Sequence, residues 1–113
     1  MKAIGFAILF AALVLAMVYL PSIAHAQNAA AGKEVYSKKC QTCHGADGSG
    51  NPGMAKALKV EFKHLGSEDV QKKSDAEIKK VITDGSGKMK PVTGVTGAEL
   101  DNVVAYVRSL KKK

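Results

Sequence analysis

Most of this chain places its apolar residues at the spacing of an amphipathic helix, and the final segment shows this most clearly. Thr96 and Glu99 have the spacing of a capping box, which predicts that a helix begins there. Val95, just before it, can pack against the first apolar residue of the helix as a hydrophobic staple. The apolar stripe of this helix consists of Leu100, Val103, Val104, Val107 and Leu110.

A second capping box predicts a helix near the middle of the chain. Ser74 and Glu77 supply the box, and the helix is expected to run from Asp75 to Asp84. Its apolar face consists of Ile78, Val81 and Ile82. Gly85 suits the position that follows a helix, because glycine adopts the left-handed conformation found there at little cost.

Residues 29–39 contain neither proline nor a β-branched run, and we expect them to form a helix. Val35 and Tyr36 lie on the face reached from Gly32. Glycine inside a helix costs about 1 kcal/mol relative to alanine, so Gly32 indicates either a frayed first turn or close contact with another backbone. Tyr106 can pack near Gly32 and Tyr36 if the two terminal helices cross, or it can lie half-exposed.

The remaining segments predict shorter or irregular structure. Ser67 is expected to cap a helical turn that reaches Gln71. Residues 45–53 contain four glycines among Asp, Ser, Asn and Pro, and are predicted to be an irregular loop. This loop lacks the glycine and bidentate glutamate positions of an EF-hand, which argues against calcium. With no confident strand, the chain is predicted to be all-α, with about three to five helices.

Residues 1–26 have the pattern of a secretory signal peptide. Lys2 supplies the positive charge, and residues 3–20 are apolar throughout. Ala24-His25-Ala26 then presents small residues at the two positions that signal peptidase reads. Cleavage there would leave one domain, residues 27–113, in the periplasm or another exported setting. The alternative is an uncleaved membrane anchor, since the apolar run is long enough to span a bilayer.

A domain of this size has a thin core of its own. The chain has no tryptophan and only 5% aromatic residues, and its aliphatic residues are spread among lysines. Domains this small usually need a disulfide, a metal or a cofactor to supplement the core. The composition therefore favours helices packed on a flat hydrophobic cofactor over a self-sufficient sandwich.

Cys40-Gln41-Thr42-Cys43-His44 has the C-x-x-C-H pattern of c-type haem attachment. Two thiols at this spacing can each form a thioether to one edge of the porphyrin, and the histidine that follows can bind the iron. Cys40, Cys43 and His44 are therefore predicted to hold one covalently bound haem c.

Three other uses of this motif fit the chain less well. A thioredoxin-type dithiol expects a βαβ pattern and a reducing compartment. A structural zinc site needs four ligands, and beyond the motif the chain offers only His25 and His64. A disulfide between Cys40 and Cys43 is compatible with an oxidising compartment, but it would close a very short loop and leave the core thin.

The second axial ligand of such an iron separates an electron carrier from a site for oxygen or peroxide chemistry. Met89 lies in a flexible, glycine-rich loop that ends at Pro91, where a methionine has no evident core role. Its soft thioether suits iron, so Met89 is the favoured ligand. Met54 is expected to pack against the haem, and His64 to lie at the surface or near a propionate. Either of these, or an open site, is the alternative to Met89.

The chain is basic, with a formal net charge of +7. Lysines flank the motif and the Met89 loop at positions Lys33, Lys38, Lys39, Lys56, Lys59, Lys63, Lys72, Lys73, Lys79, Lys80, Lys88 and Lys90. This distribution is either an ordinary solvated surface or a positive rim that steers docking onto an acidic redox partner. Nucleic acid is a poor candidate, because an exported chain without a nucleic-acid-binding module rarely meets one.

These features resemble the class I c-type cytochromes, of the small single-haem bacterial and periplasmic kind. The resemblance covers nearly all of residues 27–113. It is carried by Gly32 and Tyr36 before Cys40-Gln-Thr-Cys43-His44-Gly45, by Ile82 and Gly85 before Met89, and by Leu100, Val103 and Tyr106. It implies a small cytochrome c fold in which Gly32 lets the N- and C-terminal helices cross closely, with His44 and Met89 as the axial pair.

Two positions depart from the family pattern: Lys90 separates Met89 from the following proline, and the family's Gly-Pro pair appears as Pro52-Gly53. The resemblance implies an exported, monomeric electron carrier rather than an enzyme. Its partners would be redox proteins, among them a membrane-bound oxidase or dehydrogenase, and a partly exposed thioether edge would admit the electron. A haem enzyme or sensor with a labile sixth ligand, or the haem subunit of a larger oxidoreductase, is the alternative.

Overall fold

The computed structural model describes residues 27–112, and within them the regular structure is helical. The helices are α1 (Ala29–Lys39), α2 (Gln41–His44), α3 (Pro52–Leu58), α4 (Glu68–Gln71), α5 (Asp75–Asp84) and α6 (Gly97–Ser109). The all-α prediction is confirmed, although two four-residue helices raise the count above the expected range. The predicted signal segment, residues 1–26, lies outside the described residues. Each helix between residues 27 and 112 is too short or too polar to cross a membrane.

The terminal helices α1 and α6 cross as predicted, with Gly32 at the crossing. A Cβ atom at Gly32 would collide with the carbonyl oxygen of Asn102, so glycine is what permits this approach. Tyr36 is 1% exposed and lies one turn further along α1, where its ring packs against Tyr106 with the centroids 4.9 Å apart. Close contact, rather than a frayed turn, therefore explains the glycine.

Side-chain caps fix the starts of α1 and α5. Ser74 and Glu77 form the predicted capping box, since the Glu77 N–H donates to the Ser74 hydroxyl at 3.1 Å and the Ser74 N–H donates to the Glu77 carboxylate at 3.1 Å. Asn28 caps α1, because its side-chain oxygen accepts from the N–H of Ala31 at 3.1 Å. These bonds satisfy N–H groups that have no partner within the helix.

Three helix starts differ from the sequence predictions. Ser67 precedes α4, but its side chain makes no capping hydrogen bond, so the predicted cap there is wrong. Thr96 does precede α6, but its side chain makes no capping hydrogen bond, so the predicted box with Glu99 is wrong. Gly97 has a φ of 56°, which turns the first peptide of the helix out of the geometry that such a box requires. The loop predicted over residues 45–53 ends earlier, because Asn51 caps the first two free N–H groups of α3.

The buried apolar residues form one cluster that joins α5, α6 and the segment between them. Its members are Ile78, Ile82, Val95, Val103, Val104 and Val107. Val95 is 2% exposed, and Leu100 packs against the same cluster, as the predicted staple requires. The cluster provides only one side of the domain, and the apolar residues of segments 54–62 and 89–92 are half-buried around a cavity.

Arg108 ties three helices together beside this cluster. Its guanidinium donates to the Asp75 carboxylate at 2.8 Å and to the carbonyl oxygens of Gln71 at 2.7 Å and Lys73 at 2.6 Å. Charge-assisted bonds of this kind are roughly twice as strong as neutral ones. The ends of α4 and α5 are therefore held against the last turn of α6.

Candidate functional site

A cavity of about 610 Å³ opens beside the C-x-x-C-H segment. The sequence-predicted site residues that line it are Cys40, Cys43, His44 and Met89, together with Met54. Its volume lies in the range of roughly 300–1,000 Å³ that is typical of cofactor sites. His64 does not line the cavity, and its Nδ1 instead accepts from the N–H of Gly66 at 2.9 Å.

Helix α1 leads directly into the motif and sets its orientation. The Cys40 N–H donates to the Tyr36 carbonyl oxygen at 2.9 Å, and the His44 N–H donates to the Cys40 carbonyl oxygen at 2.9 Å. The motif is thereby wound into the single turn of α2. The Tyr36 hydroxyl donates to the Gly45 carbonyl oxygen at 2.6 Å and fixes the end of that turn. This winding brings both thiols and the imidazole to one cavity.

Both cysteines are free thiols. Burial, with a smaller contribution from Cys43, raises the pKa of Cys40 to about 11, so this thiol is protonated near neutral pH. A thioredoxin-type dithiol requires a lowered thiol pKa instead. The described residues contain no group of three or more His, Cys, Asp or Glu side chains placed to share a metal ion, which a structural zinc site would need.

The imidazole of His44 is held in a form that can bind a metal. Burial lowers its pKa, so the ring is neutral near pH 7 and keeps a lone pair. Its Nδ1 is buried and has no hydrogen-bond partner among residues 27–112. Because Nδ1 is enclosed by protein, Nε2 is the nitrogen left to face the cavity. The Phe62 ring meets the imidazole edge-on, with the centroids 5.6 Å apart and an interplanar angle of 62°.

Met89 is carried by a tight hairpin. The Ser86 N–H donates to the Met89 carbonyl oxygen at 2.9 Å, and the Met89 N–H donates back to the Ser86 carbonyl oxygen at 2.9 Å. Gly87 has a φ of 56° at the first central position, as a type II′ turn requires. The glycines of this loop therefore build a defined turn, whereas the sequence suggested a flexible one.

The same hairpin is fastened to the end of α5. A Cβ atom at Gly85 would lie 2.5 Å from the Met89 carbonyl oxygen and 2.9 Å from the Pro91 ring, so the chain can close here only around a glycine. The Val92 N–H donates to the Ile82 carbonyl oxygen at 2.8 Å. Backbone bonds on both sides thus fix where the methionine enters the cavity wall.

A smaller cavity of about 140 Å³ shares Cys40, His44 and Met89 with the larger one. Its other walls come mainly from the core, including Tyr36, Leu65, Val70, Ile78, Ile82, Val103 and Val107. A flat apolar group anchored at the motif would have hydrophobic walls in both cavities. With two thiols, a neutral imidazole and a thioether lining the larger cavity, the residues present fit a c-type haem.

Four apolar residues of the cavity were not predicted as part of the site. They are Leu58, Val60, Phe62 and Val92. The alternation of Val60 and Phe62 along the extended segment after α3 was the available signal, because residues two apart in an extended chain point to the same side. Three exposed lysines also line the cavity, namely Lys39, Lys88 and Lys90.

Comparison with known proteins points to haem proteins. The family described as cytochrome C oxidase, cbb3-type, subunit III matches residues 27–107. The Cbb3-type cytochrome c oxidase subunit CcoP of Rubrivivax gelatinosus is 34% identical over 87 residues, which cover 74% of this chain and 26% of that protein. The chain thus spans about a quarter of that relative. The solved structure titled KustC0563 c-type cytochrome superposes with a TM-score of 0.60 at 30% identity, covering 72% of this chain and 98% of that one.

Proposed function

Because the chain belongs to the family of cytochrome C oxidase, cbb3-type, subunit III, we propose that it is an exported electron carrier whose iron is bound by His44 and Met89. As a c-type cytochrome domain, it carries a covalently bound haem c and takes part in haem-based electron transfer. The observation that supports this ligation is that His44 and Met89 line the same two cavities.

Each residue of the site has a definite task in this proposal. A c-type haem supplies a one-electron Fe(III)/Fe(II) couple when bound. Cys40 and Cys43 tether it by thioethers, His44 presents Nε2, and Met89 presents its sulfur from the hairpin. The apolar walls exclude water from the iron, and backbone bonds keep the hairpin in place. With His44 and Met89 both holding the iron, the bound haem would supply electron exchange rather than a binding site for a substrate.

The charge around the cavity supports an acidic docking partner. Lys39, Lys88 and Lys90 line the opening and make no ion pair within the described part of the chain. Elsewhere, some lysines are paired: Lys63 and Lys72 both contact Asp69, at 3.2 and 3.4 Å. Glu61 is the acidic residue at the cavity. Unpaired lysines therefore lie where an electron would enter. They suit a transient encounter between the monomeric protein and an acidic redox protein.

A second function, as the haem subunit of a larger oxidase, is favoured by one comparison. The relative CcoP is named as an oxidase subunit, and this chain corresponds to about a quarter of its length. In that case a membrane-bound oxidase would be a permanent partner, and an anchored N-terminal segment would suit it. Size-exclusion of a native extract separates the two functions, because a carrier elutes near its own mass. The intact mass of the purified chain reports whether residues 1–26 have been removed.

Met89→Ala tests the proposed ligation. A Met-ferric bond gives a weak absorption band in the red, and methionine ligation raises the reduction potential. We expect Met89→Ala to abolish the band and lower the potential, as measured by visible spectroscopy and redox titration. Met54→Ala is the matched control, because Met54 lines the same cavity, and it should keep the band. If Met54→Ala removes the band and Met89→Ala does not, the assignment is reversed.

A further inference from the structure

We propose that Phe62 is a positioning residue that fixes the plane of the His44 imidazole. This inference rests on the proposed role of His44 as an iron ligand. The two rings meet edge-to-face, with the centroids 5.6 Å apart at an angle of 62°. Aromatic rings at this distance prefer the edge-to-face arrangement, because the positive edge of one ring meets the negative face of the other. Phe62 therefore does more than fill space beside the ligand.

A ring contact matters for a ligand histidine because the imidazole turns easily. Rotation of an aromatic ring about its last side-chain bond is broad and weakly restricted. A metal-binding histidine is usually oriented through a hydrogen bond from its second ring N–H. No protein group among residues 27–112 accepts such a bond from Nδ1 of His44, so the Pro52 carbonyl does not orient the ring. The packing of Phe62 against the imidazole therefore contributes directly to its plane.

Phe62 is itself held by the loop that follows the motif. A Cβ atom at Gly50 would lie 2.5 Å from Cβ of Phe62, so the side chain rests directly on the Gly50 backbone. The Gly50 N–H donates to the carbonyl oxygen of His44 at 2.7 Å. One glycine thus joins the backbone of His44 to the residue that contacts its ring, and the two rings keep their relative position.

The plane of an axial imidazole has a direct spectroscopic signature. In low-spin ferric haem, this plane and the orientation of the second axial ligand together set the direction in which unpaired spin spreads over the porphyrin, and hence the order of the haem methyl proton resonances. A side chain that only fills the cavity does not change this order when it is replaced by another of similar bulk. The methyl resonances of the intact ferric protein therefore distinguish positioning from packing.

Phe62→Leu, compared with Phe62→Tyr, tests the proposal. Leucine fills apolar space without a ring edge, so we expect the spread and order of the methyl resonances to change. Tyrosine retains the ring and should keep the native order. Leu100→Val is the control, because Leu100 packs against the core cluster and lines neither cavity; it should also keep the native order. If Phe62→Leu does not fold, Phe62→Met, which adapts well to cavities, gives the same comparison.

The outcomes separate this inference from the proposed ligation. The red band of the native ferric protein is recorded first, and its absence would overturn the Met89 ligation, while the methyl order of the low-spin ferric protein still decides the role of Phe62. A high-spin native spectrum that is unaffected by His44→Gln would overturn both proposals. With or without the band, an unchanged methyl order in Phe62→Leu or Phe62→Met overturns the role of Phe62 alone.

Discussion

Lys59 ends α3 in a conformation that suits glycine better than lysine. Its φ of 55° and ψ of 48° lie in the left-handed region. The Val60 N–H donates to the Ala55 carbonyl oxygen at 3.0 Å, and the Lys59 N–H donates to the Lys56 carbonyl oxygen at 3.3 Å, as in a helix that closes through a left-handed residue. A side chain with a Cβ costs about 1–2 kcal/mol in this region.

Lys59→Gly should therefore stabilise the protein. We expect the free energy of unfolding, measured by urea denaturation of the haem-bound protein, to rise by about 1 kcal/mol, since relief of strain outweighs the added freedom of the unfolded chain. Lys56→Gly makes the same chemical change inside α3 and should lower it by about 1 kcal/mol. Equal effects of the two substitutions would show that strain at Lys59 is negligible.

Single residues of the site differ in how far the sequence could predict them. Cys40, Cys43 and His44 follow from one motif, because covalent attachment dictates their spacing. Met89 required an argument from its loop, and its role is still a prediction. Phe62 gave no chemical signal, because an apolar side chain shows its importance only through the ring it touches.

At the scale of elements, the crossing of α1 and α6 depends on the missing side chain of Gly32. A Cβ atom there would overlap the backbone of Asn102, which cannot move without shifting α6. The neighbouring contact of Tyr36 with Tyr106 and the bond from the Asn28 N–H to the Asn102 side chain at 2.9 Å would be disturbed as well.

Gly32→Ala should lower the free energy of unfolding by about 1–3 kcal/mol, the usual cost of overpacking, measured by thermal or urea denaturation of the haem-bound protein. Gly53→Ala is the control, because Gly53 lies in α3 and a Cβ there meets only the capping oxygen of Asn51, at 3.3 Å. The higher helix propensity of alanine offsets a small shift of this cap, so the control should change the free energy of unfolding much less than Gly32→Ala. If Gly32→Ala leaves the free energy of unfolding unchanged, α1 and α6 can move apart at little cost.

Elements with local signals were predictable, and elements with tertiary causes were not. Helix α5 begins at Ser74 and ends before Gly85 as predicted, since the capping box and the glycine are both local. Helix α3 was missed, because Pro52 and Gly53 suggested a loop; yet proline is favoured in the first turn of a helix, and Asn51 is a good cap. The capping box predicted at Thr96 does not form, because Gly97 adopts a positive φ. Nothing in the neighbouring residues indicates this conformation.

On the scale of the whole molecule, lysines unpaired within residues 27–112 occur on several faces, and three of them meet at the cavity. Lys39, Lys88 and Lys90 line it, and Glu61 is the one acidic residue among the described residues of its lining. The net charge of the chain attracts an anion to every face. The local excess of positive charge at the cavity directs the anion there.

Replacing Lys88 and Lys90 with glutamate should slow oxidation of the ferrous protein by ferricyanide by about tenfold or more at low ionic strength. Oxidation by the cationic tris(phenanthroline)cobalt(III) should become faster, and both effects should fade with added salt because the Debye length shortens. Stopped-flow absorbance measures both rates. Lys63→Glu with Lys72→Glu gives the same change in net charge at residues paired with Asp69. If the two double variants behave alike, local steering is absent.

The apolar wall of the smaller cavity has an electrical consequence as well as a structural one. Apart from Lys73, its lining carries no charged side chain, so its surroundings polarise weakly. Oxidation of the iron leaves one more positive charge, which a weakly polarisable medium stabilises poorly. The valines and isoleucines that hold α5 against α6 therefore also favour the ferrous state. The same few side chains therefore form the hydrophobic core and also raise the reduction potential of the haem.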